Sequence, residues 1–499
     1  MAFLTDFLTR ADVIIYFAVC IVLLIYWLNG SKKSRAKMPP GPTPLPFIGN
    51  LHQLDLKNTH QSLMEMSEKY GDVFTLHFGP KRVVVIAGYK AVKEALVTQG
   101  DDFVNRPSSP LLDLISKNHG IIFSHGEEWK SMRRFTLSTL RDFGMGKKSL
   151  EGRIQDEIIA LIESLKCYNG KPFNPHLLIN SAVSNVICSI IFGNRFEYDD
   201  PTFQKLINML DENAKMAGEP KALLFNFYPF IGTLLGLHKK VMQNIENLKD
   251  FIQKNVKKQR LEFNANDITG YIDAYLLKQE QESTKPGTYF HDENLQYSVL
   301  DLFDAGTETT STTIRWGILL MMKYPEIQKK IQDEIKTHLK PGQLPAVEDR
   351  KKMPYTDAVI HEVQRFANIV PLNVSHAPPT DVYFRGYCIP KGTEVIPFLT
   401  SVLNDKTQWK TPYDFNPNHF LDKDGKFVRN DAFMPFSAGR RACAGESLAR
   451  MELFLFFTGL LQAFTFFPPP GVSREDLTLK PDVGFTLTPT KYMTCAKLN

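Results

Sequence analysis

Residues 432–452, AFMPFSAGRRACAGESLARME, constrain this chain more than any other stretch. Phe436, Gly439, Arg441, Cys443 and Gly445 follow the spacing F-x-x-G-x-R-x-C-x-G, and a long apolar helical run begins just past the cysteine. A fold that accepts this segment places a thiol at a helix N-terminus, where unpaired backbone N–H groups and the positive dipole end favour the thiolate. The glycines permit close approach of the backbone to a flat group, and Arg441, two residues before the thiol, offers a partner for a carboxylate. On these residues alone Cys443 reads as a small buried hydrophobe, an activated nucleophile or a ligand.

Six cysteines (Cys20, Cys167, Cys188, Cys388, Cys443, Cys495) are scattered through 499 residues without a CxxC pair. That usage points to a reducing compartment rather than a disulfide framework. A net charge of +5 is too mild to argue for nucleic acid, so the placement of charge matters more than its sum. Val13 to Leu28 is a sixteen-residue stretch without a charge, which spans about 24 Å as a helix. Lys32, Lys33, Arg35 and Lys37 follow it, against Arg10 before it. Asp6 and Asp12 precede it, where a cleaved signal peptide wants a basic region. These residues predict an uncleaved signal anchor, a transmembrane helix over residues 1–30, with the remainder on the cytosolic side. A basic and proline-rich hinge over 31–49 comes next. Pro39, Pro40, Pro42, Pro44 and Pro46 forbid helix there and favour an extended, semi-rigid spacer.

Residues 50–499 contain no further linker and no internal repeat. DVFTLHF and RVVVIAG predict two strands around Gly79-Pro80. From about residue 88 the periodicity turns helical, in KAVKEALVTQ, RIQDEIIALIESL, LINSAVSNVICSIIF, VMQNIENLKDFIQKNVKKQRLEF, TSTTIRWGILLMMKYPEIQKKIQDEIKTHL and ESLARMELFLFFTGLLQAF. Shorter β-like pieces recur at DVYFRGYCIP, TEVIPFL and FTLTPTKYMTC. The fold class is α+β: one large body, mainly helical with smaller β-sheets, behind a single N-terminal transmembrane helix.

The loop around Cys443 resembles the haem-binding loop of the cytochrome P450 family, and further motifs follow in that family's order. They are AGTETT (Ala305 to Thr310), EVQR with Glu362 and Arg365, FNPNHF with His419, and WKSMR with Trp129 and Arg133. The resemblance covers essentially the whole chain and looks closest to the vertebrate microsomal members of the second family. It implies the P450-type fold, with Cys443 as the thiolate ligand of haem b. Arg106, Trp129, Arg133, His376 and Arg441 are then the partners of the two propionates, since a buried anion pair needs such donors. Gly306 would leave room for dioxygen, Thr309 would hydrogen-bond it and hold a water, and Glu308 would lie on the proton route. Against that stands the habit of helical Ser and Thr of bonding back to their own carbonyls. Phe123, Ala305, Val370 and Phe485 would line a mostly apolar pocket for a lipophilic substrate. Asp304 stands where related sequences carry a small, polar or aromatic residue. It either faces that pocket or sits hydrated or paired beside Asp301. Glu362, Arg365 and His419 would form a structural network, with one charge dependent on pH because many members carry Arg in place of the histidine.

The implied activity is that of a haem-thiolate monooxygenase. It would hydroxylate or epoxidise fatty acids, steroids or xenobiotics with dioxygen and electrons from NADPH. The electrons would come through NADPH–cytochrome P450 reductase at the endoplasmic reticulum membrane, with cytochrome b5 as an optional second donor. Lys130, Arg133, Arg134, Arg141, Lys147 and Lys148 would offer a basic face to an acidic redox partner, with Arg440 beside it. An ordinary solvated helix face is the alternative. Two other functions stay open. A reductase-independent haem-thiolate isomerase tends to lose the acid–alcohol pair present here. A non-enzymatic haem carrier or gas sensor needs neither proton route, basic face nor roomy apolar pocket.

Overall fold

The structure, a computed structural model, describes residues 38–143 and 148–499 together with residues 13, 16–19 and 21. The anchor expected over 1–30 therefore lies almost wholly outside the described residues, and so does Lys147. Among the described residues no helix is long and apolar enough to cross a membrane.

Helices dominate: α1 (Thr59–Tyr70), α2 (Gly126–Asp142), α3 (Lys148–Lys166), α4 (His176–Ile191), α5 (Pro201–Ala217), α6 (Pro220–Phe227), α7 (Pro229–Leu234), α8 (Lys239–Glu262), α9 (Tyr271–Gln281), α10 (Asp292–Lys323), α11 (Pro325–His338), α12 (Pro354–Ala367) and α13 (Glu446–Ala463). Nine short strands form a sheet of β1 (Val73–Phe78), β2 (Lys81–Ile86) and β5 (Glu394–Pro397), and three pairs. The pairs are β3 (Val382–Phe384) with β4 (Tyr387–Ile389), β6 (Phe464–Phe467) with β9 (Cys495–Leu498), and β7 (Pro481–Val483) with β8 (Leu487–Pro489). The expected hairpin at Gly79-Pro80 is present, in register from Val73↔Ile86 to Phe78↔Lys81. Strand β5 adds to it in parallel. The proline-rich segment runs along this sheet: the Thr75 N–H donates to the Pro40 carbonyl, and Gly49 pairs with Phe78.

The larger core forms around α10, whose 32 residues extend about 48 Å. The His291 side chain accepts from the Asn294 N–H at its start, and Asp292 and Glu293 complement its dipole. Val299, Phe303, Ile314 and Leu320 are buried in one cluster with Val183 and Ile187 of α4 and with Leu453 and Phe457 of α13. The helix stops at Tyr324, which leaves the helical region (φ −124°, ψ 68°) ahead of Pro325, the first residue of α11. The stretch TSTTIRWGILLMMKYPEIQKKIQDEIKTHL is therefore two helices, not one. At the α10–α4 crossing a Cβ on Gly306 would lie 2.6 Å from Ile187 Cδ1. Helix packing by itself therefore calls for glycine at this position.

Where α10 meets α13, the Thr310 hydroxyl donates to Glu452 Oε2 at 3.2 Å. Oε1 of the same side chain has no partner among the described residues, and burial pushes the carboxyl up to about 8. A second buried polar centre joins α12 to the segment 403–419. Arg365 and Glu362 form a forked pair (Nε to Oε2 2.8 Å, Nη2 to Oε1 2.7 Å) with both side chains fully buried. The guanidinium also donates to the carbonyls of Leu403, Pro412 and Asp414. His419 joins as expected, with Nδ1 at 3.2 Å from both Glu362 oxygens. Its Nε2 accepts from the Thr411 N–H at 3.2 Å, which assigns the ring hydrogen to Nδ1. The histidine thus bridges Glu362 to the Thr411 backbone.

Two stability predictions follow from these buried acids. Glu362→Ala leaves a buried guanidinium uncompensated, an effect of about 3–5 kcal/mol, and should appear as a lowered thermal midpoint and reduced folded yield. For Glu452 the folded state holds a proton that the unfolded chain releases near the ordinary value of 4.5. Stability is therefore lost progressively as pH rises from that value through about 8. Glu452→Gln should match the parent near pH 5 and exceed it increasingly toward pH 8 in denaturant titrations.

Candidate active site

Cys443 sits at the end of a tight loop. Gly439 has φ +73°, and a Cβ there would lie 1.7 Å from the Leu96 carbonyl oxygen, so only glycine lets the loop close on residues 94–98. The close approach that Gly439 permits is to the chain itself. The Cys443 N–H donates to the Phe436 carbonyl at 3.0 Å, and α13 starts three residues later. Burial pushes the thiol up, against the downward pull of the Gly445 and Glu446 N–H groups and of Arg133. The helix start alone therefore does not stabilise the thiolate, contrary to the expectation from sequence. A cation at the sulfur would reverse that balance. Cys443 nevertheless keeps open surface. Open surface combined with the burial that raises the thiol implies a recess beside Cys443.

One wall of that space is cationic. Arg106 donates to the carbonyls of Ile122, Val374 and Ser375, Arg441 to those of Val104 and Ser124, and Arg133 to that of Ala442 at 2.6 Å. The Arg441 guanidinium stacks 3.7 Å from the Trp129 ring centroid. None of the three has an acidic partner among the described residues. Burial and mutual repulsion lower Arg106 to about 9 and Arg441 to about 8. Burial, then Arg106, holds His376 well below its ordinary value, and its Nδ1 donates to the Phe103 carbonyl at 2.7 Å. His376 is thus an uncharged member of a wall in which sequence counted it as a cation. Two donors, Trp129 Nε1 and Arg441 Nη1, are buried without a partner among the described residues. Such a wall calls for anionic oxygens, and a group with two carboxylates, as haem has, fits the donor set.

A second boundary is α10, which meets the same loop at 120–124 that Arg106 and Arg441 hold. Both oxygens' worth of work at Asp301 falls to Oδ2, which accepts the N–H groups of Ile121 (2.6 Å) and Ile122 (2.9 Å). This fixes the loop that carries half-buried Phe123. Asp304 and Ala305 keep open surface. The Thr309 hydroxyl donates to the Ala305 carbonyl at 2.8 Å, the local bond weighed against a catalytic role. Glu308 is buried and turned elsewhere: Oε1 accepts from Thr312 (3.0 Å) and Thr486 (3.1 Å), with Arg315 Nη2 at 3.9 Å. The acid and the alcohol are chain neighbours whose functional groups have separate partners. Behind Glu308, Arg315 donates to His176 Nδ1 at 2.5 Å, and His176 Nε2 lies 3.5 Å from Asp211, itself paired with exposed Lys215. Burial raises Asp211, but His176 and Lys215 outweigh it and hold it below the carboxylate range. Val370 follows the left-handed C-cap Asn368, and the Leu487 N–H donates to the adjacent Ile369 carbonyl. Phe485, 43% exposed, donates its N–H to the Ala214 carbonyl.

Sequence reasoning missed Asp301 as the loop's anchor, Glu452, and the Arg315–His176–Asp211 chain. No local spacing joins residues 139 positions apart, so only α10 carried a signal, as an Arg seven residues past the acid. The basic face on α2 is smaller than expected, because Arg133 turns inward and Lys130 pairs with Glu127. Arg440 forks onto Asp101 (3.0 and 3.1 Å).

The family model described as Cytochrome P450 matches residues 39–496. Cytochrome P450 2K1 of Oncorhynchus mykiss is 48% identical over 99% of this chain and 99% of that protein. Cytochrome P450 2C5 of Oryctolagus cuniculus is 47% identical, over 95% of this chain and 97% of its own. Cytochrome P450 2J2 of Homo sapiens is 48% identical over 93% and 92%. Because the family match and these alignments run nearly end to end over a chain whose thiol and cationic wall suit haem, the chain belongs to the cytochrome P450 family.

Proposed function

We propose that this chain inserts one oxygen atom into a lipophilic small molecule, with Cys443 as the thiolate that would hold the haem iron and Arg106, Trp129, Arg133, His376 and Arg441 as the residues that would hold its propionates. The single observation that carries this assignment is the pair of orphaned donors, Trp129 Nε1 and Arg441 Nη1, beside three acid-free guanidiniums. Haem bound here supplies the redox chemistry by which dioxygen and two electrons from NADPH yield one hydroxylated or epoxidised product and one water. The protein's own share is to hold charge and to move protons. Thr309 releases the Ala305 carbonyl to donate toward the recess. Glu308 is the acid of the proton route, held by Thr312 and Thr486 and screened by Arg315, behind which His176 and Asp211 lead to exposed Lys215. Phe123, Ala305, Val370 and Phe485 present the apolar contacts.

The partners belong to the same proposal. Exposed Arg134 and Arg141, with Lys130, offer an acidic reductase a docking face, and cytochrome b5 shares it as an optional donor. Residues 1–30 anchor the chain in the endoplasmic reticulum membrane, 31–49 form the hinge, and 50–499 form the cytosolic catalytic domain. Exposed Phe230, Leu234 and Leu235 support a membrane-facing side, as does exposed Phe47, whose carbonyl accepts from the Tyr228 hydroxyl next to α7.

Reconstitution with NADPH and reductase against a panel of lipophilic compounds tests the assignment. NADPH-dependent product formation is expected, and no product across the panel overturns it in favour of a haem carrier. Cys443→Ala should abolish the reduced carbon monoxide spectrum of a thiolate-ligated haem. Thr309→Ala should keep that spectrum and divert NADPH-derived electrons to peroxide, measured as peroxide formed per NADPH consumed; tight coupling would remove Thr309 from the proton path.

A further inference from the structure

Three acids stand on one stretch of α10, and two of them are satisfied. Asp301 accepts the N–H groups of Ile121 and Ile122, and Glu308 accepts the hydroxyls of Thr312 and Thr486 with Arg315 nearby. Asp304 has no hydrogen bond or ion pair with any described residue, and it keeps open surface next to Ala305. Pairing beside Asp301 is not what the described residues show, since Oδ2 of Asp301 accepts the loop N–H groups instead. Burial, with repulsion from Glu308 and Asp301, pushes the carboxyl up to about 7. The group is costly to ionise as it stands, and a positive charge placed against it would remove that cost.

Resting on the monooxygenase assignment above, we propose that Asp304 is a specificity-determining residue that seats a cationic substrate, a lipophilic compound bearing a protonated or quaternary amine. The cation lies against the Asp304 carboxylate while the apolar part of the molecule lies toward Phe123 and Val370. The three acids give this side of the space a negative field, which attracts a cation and repels a carboxylate. Within the lipophilic class, amines are thereby favoured and fatty acids disfavoured.

The experiment uses the haem-loaded full-length chain in phospholipid vesicles and equilibrium dialysis of three matched probes. They are a phenylalkyl trimethylammonium, whose nitrogen cannot ligate iron, its tert-butyl isostere, and the phenylalkyl carboxylate of equal length. The ammonium should bind the parent at least about tenfold more tightly than the carboxylate. Asp304→Asn should weaken the ammonium about tenfold and leave the tert-butyl probe within about twofold. Equal affinity of the parent for ammonium and carboxylate overturns the inference without any variant, as does an Asp304→Asn change that is the same for ammonium and tert-butyl probes. Should Asp304→Asn fail to load haem, Asp304→Ser carries the same comparison. A reduced carbon monoxide spectrum and NADPH-dependent turnover recorded on the parent preparation separate the two claims. Their loss defeats the monooxygenase assignment, whereas their presence with no preference for the ammonium defeats only the role of Asp304.

Discussion

Three guanidiniums, Arg441 buried and Arg106 and Arg133 half-buried, stand together without an acid among the described residues and form the constraint on which the site depends. Arg106, Arg133 and Arg441 spend their hydrogen bonds on backbone carbonyls of residues 104, 122, 124, 374, 375 and 442. Carbonyls orient a guanidinium but do not neutralise it, so the wall remains electrostatically incomplete. The same donors tie segments far apart in the chain to one surface. Positive charge is thus both the mortar of this wall and its binding determinant.

Meeting the same loop as that wall, α10 serves several surfaces at once because a helix presents a new face every residue. Asp301 faces the loop at 120–124, Gly306 faces α4, Glu308 faces Thr486 and Arg315, and Thr310 faces α13. Asp304 and Ala305 are left with open surface. Tight packing on the other faces leaves the helix little freedom to rotate. The direction of the Asp304 carboxyl is therefore set by contacts elsewhere on the same helix.

Much of this was legible in the sequence. The loop at Cys443, the strands around Gly79-Pro80, the apolar periodicity of α4 and α13, and the pairing of Glu362 with Arg365 all express local spacing. What sequence misjudged were balances between opposing local effects. Helix-terminal N–H groups favour a thiolate, yet burial outweighs them at Cys443. A histidine beside arginines reads as a cation, yet the same arginines and its burial leave His376 uncharged. A Pro after an amphipathic run looked like part of one long helix, whereas it ended α10. The route behind Glu308 was invisible for a different reason: it joins α10 to α4 and α5 through side chains with no shared periodicity.

The loop from Gly120 to Ser124 is held from both sides. Arg106 and Arg441 grip the carbonyls of Ile122 and Ser124, and Asp301 grips the N–H groups of Ile121 and Ile122. Phe123 sits between these grips. An anion settling on the arginines and a guest settling against Phe123 therefore act on one short piece of backbone. Binding free energies coupled in this way are reciprocal: to whatever degree the prosthetic group orders the loop for its guest, the guest tightens equilibrium binding of the prosthetic group by the same factor. A group held by the arginines and a guest held against Phe123 would thus be coupled through the five residues from Gly120 to Ser124.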